Sequence, residues 1–103
     1  RVLVVGMLGG RDAVTMLEAL DARSMDLVIC CTPDSERAVP AAELMAIVRA
    51  MGVMAEQVDD VATAVARSID VSTDDDLILI AGSLYVAGAA RTAVESLRRE
   101  GVV

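Results

Sequence analysis

The chain has 103 residues, and its 16 acidic against 9 basic side chains give a formal charge of −7. All nine cations are arginine; lysine, histidine, tryptophan and phenylalanine are missing, and Tyr85 is the single aromatic residue. This composition excludes a lysine-bearing phosphate loop, Schiff-base chemistry, Ser-His-Asp or Cys-His catalysis and most zinc sites. An acidic chain almost without aromatics also lacks what nucleic-acid binding requires, phosphate-neutralising charge and stacking surface.

The length suits one domain with a core large enough to need no disulfide or metal staple. No apolar run approaches the roughly 20 residues of a membrane span, and because the chain opens on a strand-like run the expectation is a protein without a secretory leader. Cys30 and Cys31 are adjacent. Neighbours in a strand point to opposite faces, so the expectation is two buried, reduced thiols and a cytoplasmic protein.

In chain order, Val2–Met7 is a continuous apolar run, as expected of a strand buried on both faces. It breaks at Gly9 and Gly10. Asp12 follows as a possible helix cap, and Ala13, Met16, Leu17 and Leu20 recur at helical spacing. Leu27–Cys31 is the second strand, and Thr32-Pro33-Asp34-Ser35 is turn chemistry. Pro40 suits the first turn of a second helix with Leu44, Ile47, Val48 and Met51 inward and Gly52 as its stop. Val53–Val58 is a weaker strand. Asp59 or Asp60 then opens a third helix with Val61, Ala62, Val65 and Ile69 inward. Ser72–Asp76 is a polar loop, Leu77–Ala81 the fourth strand, and a last helix runs from about Leu84 to Arg99.

Strands alternating with helices argue for an α/β fold, a three-layer α/β/α Rossmann-like arrangement around a parallel sheet. The economical strand order is 3-2-1-4. Its switch point lies between the first and fourth strands, and ligands of such sheets bind beyond the carboxyl ends there. Two loops should therefore meet, Gly6–Asp12 and Gly82–Tyr85. In the first, Arg11 offers a fork for a carboxylate or phosphate. Asp12 either orients Arg11, accepts from a substrate amine or caps the helix. In the second, Gly82 allows a sharp turn, and Ser83 either caps a helix or faces a ligand carboxylate, with Tyr85 beside it. Arg37, in the loop after the second strand, either reaches this site or is a surface charge. Asp74-Asp75-Asp76 precedes a strand and belongs at the opposite end of the sheet, as a solvated turn rather than a metal site.

Three segments carry a family resemblance: Val5-Gly6-Met7-Leu8 with Arg11-Asp12, Thr32-Pro33-Asp34-Ser35 with Arg37-Ala38, and Leu79-Ile80-Ala81-Gly82-Ser83-Leu84-Tyr85-Val86-Ala87-Gly88. In this order and spacing they resemble the C-terminal domain of folylpolyglutamate synthases and dihydrofolate synthases, in the Mur ligase superfamily. The resemblance implies a Mur ligase C-terminal domain-like fold over residues 1–103. It implies an ATP-dependent ligase that activates a folate or dihydropteroate carboxylate as an acyl phosphate and joins it to L-glutamate.

In that family the N-terminal ATPase domain of the same chain carries the phosphate loop and holds most of the ATP and magnesium. The C-terminal domain closes over it and is expected to hold glutamate. Arg11 and Asp12 match the family's Lys-Asp positions, implying charge stabilisation and substrate orientation; Gly82, Ser83 and Tyr85 match its Gly-Ser-aromatic loop, implying that they bind glutamate or support the loop that does. This sequence reads Gly10-Arg11-Asp12 where the family usually reads Asp-Lys-Asp. The stretch that opens this domain in the family, Asp-Gly-Ala-His-Asn, would lie upstream of Arg1, so the expectation is a domain lacking its first strand and helix and inactive by itself. The alternative is a free-standing nucleotide- or anion-binding module on the same sheet.

Overall fold

The computed structural model describes residues 1–10, 12–73 and 76–82. Within them, β1 (Val2–Gly6), α1 (Ala13–Ala19), a 3₁₀ turn (Ala22–Ser24), β2 (Leu27–Cys30), α2 (Ala41–Ala50), β3 (Ala55–Gln57), α3 (Val61–Val71) and β4 (Ile78–Gly82) follow in order. The four strands form one parallel sheet in the order β3-β2-β1-β4. This is the order expected from right-handed crossovers. The last helix expected from the sequence lies outside the described residues.

Every residue of β1 is buried, because the strand is central and both its faces are covered. Leu3, Val5, Val28, Cys30 and Ala55 point to one face and pack with Leu17 of α1 and Ala41, Leu44 and Val48 of α2. Val2, Val4 and Ile29 point to the other, where Cys31 joins them against Val61, Ala64 and Val65 of α3. The strand period of two thus sorts one run of apolar residues into two cores.

Local differences from the sequence reading have physical causes. Met7 is buried but leaves the sheet: its carbonyl accepts from Val39 N–H at 2.9 Å, in the loop before α2, instead of extending the ladder. β3 shrinks from Val53–Val58 to Ala55–Gln57. Pro40 is not inside α2 but precedes it with extended backbone, φ −57° and ψ 139°. In α3, Ala62 is exposed, and Ala64 and Ser68 take the inward positions. Ser68 tolerates burial because its hydroxyl donates to Val65 C=O at 2.6 Å. Asp60, of the two candidates, caps α3, and Gly52 ends α2 with a left-handed φ of 82°.

Candidate functional site

The register Gly6↔Gly82 brings the carboxyl ends of β1 and β4 side by side. The chain leaving β1 and the chain leaving β4 therefore start from adjacent points on the sheet edge, the switch point that a 3-2-1-4 order creates. Of the site residues named from sequence, Asp12, Gly82 and Arg37 are described. Arg11, Ser83 and Tyr85 lie outside the described residues.

After β1 the chain turns through Gly9 and Gly10. Gly10 has φ 87°, a left-handed conformation that side chains with a Cβ adopt only at a cost. That turn delivers Asp12, exposed, to the start of α1, where its Oδ1 accepts from Thr15 N–H at 3.3 Å. Hydrogen bonds from Thr15, the backbone amide foremost, hold the Asp12 carboxyl below its ordinary value of 3.8. Asp12 is thus a charged helix cap at neutral pH.

Arg37 comes to the same corner by its backbone. Its carbonyl accepts from Gly9 N–H at 2.7 Å, and Leu8 and Ala38 form an isolated antiparallel bridge beside it. The Arg37 side chain is exposed and makes no salt bridge with a described residue.

A cleft of about 410 Å³ opens beside this corner. Met7, Gly9 and Gly10 line one side, Asp12 and Ala13 the start of α1, and Val39, Glu43 and Ile47 the wall supplied by α2 and its approach. Sequence reasoning placed the site between the loops after β1 and β4 and missed this wall. The only sequence signal for it was that α2, following β2 in a parallel sheet, begins at the same end as the loop after β1.

Among the described residues, the ionisable groups lining the cleft are the carboxylates Asp12 and Glu43. They disfavour a phosphate chain and favour an ammonium group. No three His, Cys, Asp or Glu residues cluster as a metal site among the described residues. These residues therefore do not fit a magnesium–nucleotide group on their own. Asp76, at the far end of the sheet, accepts from Thr73 N–H at 2.8 Å in a local turn; Asp74 and Asp75 lie outside the described residues. No helix among the described residues is long and apolar enough to cross a membrane.

Residues 1–84 match the family model of the "Mur ligase, glutamate ligase domain". Among solved structures, the chain is similar to E. coli FolC in complex with DHPP and ADP, with 27% identity and a TM-score of 0.78 over 96% of this chain and 23% of that one. It is similar also to the bifunctional folylpolyglutamate synthase/dihydrofolate synthase of Yersinia pestis complexed with AMPPNP and Mn ion, with 25% identity and a TM-score of 0.75 over 93% of this chain and 22% of that one. The chain thus spans under a quarter of the length of these proteins. Comparison with curated proteins gives no match.

Proposed function

Since the chain belongs to the Mur ligase family, as its glutamate ligase domain, we propose that it is the C-terminal, glutamate-holding domain of an ATP-dependent, cytoplasmic ligase acting on folate or dihydropteroate. The observation that carries this reading is the likeness over 96% of the chain to a solved structure in complex with DHPP and ADP. ATP and magnesium would be held by the N-terminal ATPase domain of the same enzyme, because the described residues here suit neither. When bound there, ATP would supply the phosphoryl group that turns the acceptor carboxylate into an acyl phosphate, with ADP as the leaving group. The glutamate amine then forms the amide bond, loses a proton, and inorganic phosphate leaves.

The chain's own residues bind and orient. Arg11, between Gly10 and Asp12, pairs with a glutamate carboxylate. Asp12 caps α1 and presents negative charge to the amine. Gly82, Ser83 and Tyr85, which end or follow β4 in the sequence, support the other end of glutamate. Arg37 adds positive charge at the rim. A free-standing anion-binding module is the less favoured reading, because the described cleft carries carboxylates.

The test is kinetic, on the complete ligase. Arg11→Ala and Ser83→Ala each raise KM for L-glutamate by roughly tenfold, the loss of one charge-assisted hydrogen bond, with the melting temperature nearly unchanged. Unaltered glutamate kinetics in both variants would remove these residues from the site.

A further inference from the structure

We propose that Thr32 is a positioning residue for the Gly9–Asp12 corner, acting through the loop that follows β2; this deepens the ligase reading above and rests on it. The argument begins at α2. Its cap residue is Pro40, which offers the first turn no side-chain acceptor. The acceptor is supplied from nine residues upstream: Thr32 Oγ1 takes the Ala41 N–H at 2.9 Å. The Thr32 amide itself donates to Asp59 C=O at 2.8 Å, which anchors the residue to the neighbouring loop after β3.

From this root the chain passes through buried Pro33 and a turn organised by Ser35. The Ser35 hydroxyl accepts from Arg37 N–H at 3.2 Å, and its carbonyl accepts from Ala38 N–H at 3.1 Å. The next residues run against the exit of β1. Gly9 N–H donates to Arg37 C=O at 2.7 Å, Leu8 bridges Ala38, and Val39 N–H donates to Met7 C=O at 2.9 Å. The segment 32–41 is therefore closed on itself by the Thr32–Ala41 bond, and its middle is the template on which residues 7–9 rest. Gly10 follows directly from that template, Asp12 lies two residues further along the chain, and Val39 is also cleft wall. Removing the Thr32 hydroxyl opens the loop at its root, leaves the Ala41 amide without its acceptor, and frees the template to shift. Thr32 is not among the residues lining the cleft, so its effect on substrate passes through that template.

The experiment compares Thr32→Val, which keeps the shape and loses the acceptor, with Thr32→Ser, which keeps the acceptor, in the complete ligase. Hydrogen exchange of the peptide spanning residues 7–12 should quicken roughly five- to tenfold in the Val variant, the worth of one such bond. KM for L-glutamate should rise by a similar factor while KM for ATP stays within about twofold, and Thr32→Ser should restore both. Unchanged exchange at 7–12 overturns the coupling whatever the kinetics. Faster exchange with unchanged glutamate KM overturns the positioning role, and failure of Ser to restore overturns the hydroxyl as its cause. If valine prevents folding, Thr32→Ala is judged by the same two readouts. A wild-type enzyme that does not ligate glutamate defeats the ligase reading instead, and the exchange measurement still decides the coupling.

Discussion

Cys30 and Cys31 are neighbours in sequence but belong to opposite halves of the core, one facing α1 and α2, the other facing α3. Both are free and buried. Burial pushes the Cys30 thiol up to about 12, with neighbouring Cys31 adding to the effect and Arg49 opposing it. Burial likewise pushes Cys31 up to about 11, with Asp60 adding to it. Both raised values mean that the fold holds the neutral thiol. Their contribution to stability is fully present below the ordinary thiol value of 9.0 and is lost as pH rises above it. Native protein at neutral pH should therefore leave both thiols unlabelled by a thiol reagent, label both in denaturant, and lose stability progressively above pH 9.0. Rapid labelling of folded protein would contradict this. Asp12 illustrates how far one residue can be read from sequence. Its place before a helical apolar stripe made a cap one of its readings; that its corner is braced by Arg37's backbone depends on the bond from Gly9, 28 positions before Arg37.

At the scale of elements, the helices solve their first-turn problem in two ways. α3 is capped locally: Asp60 Oδ2 accepts from Thr63 N–H at 2.9 Å and from its hydroxyl at 2.8 Å. These bonds, the hydroxyl first, hold the Asp60 carboxyl below its ordinary 3.8. A depressed carboxylate contributes stability that is present above 3.8 and is lost as pH falls through the lowered value. Asp60→Ala should cost about 1 kcal/mol in a urea titration at neutral pH, and the difference from wild type should narrow below pH 3.8. A constant difference down to strongly acid pH would argue against the charged cap. α2 is capped at a distance by Thr32. A local cap can be read as Asp followed three residues later by Thr; a distant one has no fixed spacing, so sequence reasoning assigned the start of α2 to Pro40. The phase of α3 was misread for a related reason. Ala62 and Ala64 are chemically equivalent, and only contact with the sheet chooses between them.

For the whole molecule, the sheet brings the ends of β1 and β4 together at one edge, but the ionisable groups of the cleft among the described residues are two carboxylates, and the chain contains no lysine. A domain of this kind can hold and orient a substrate without driving phosphoryl transfer. The purified 103-residue chain, given ATP, magnesium, L-glutamate and dihydropteroate, should give no ligation product by mass spectrometry. Turnover by the purified chain would overturn its reading as one domain of a larger ligase.

The sequence by itself determined the alternation of strands and helices, their parallel order and the placing of a switch point between β1 and β4. Each follows from short-range periodicity and the handedness of crossovers, which need no knowledge of distant contacts. It also marked Gly52 as a helix end and narrowed the start of α3 to Asp59 or Asp60, since capping is local chemistry; the structure chose Asp60. Only the tertiary structure decided that the loop after β2 lies across the exit of β1, that Thr32 roots that loop, and that α2 supplies a wall of the cleft with Glu43 and Ile47, continued by Val39 just before it. The loop meets the exit of β1 through backbone hydrogen bonds, which every residue type but proline can both donate and accept and which leave no mark in the side-chain sequence; the Thr32 hydroxyl reaches Ala41 over nine residues, a spacing that no local capping pattern announces.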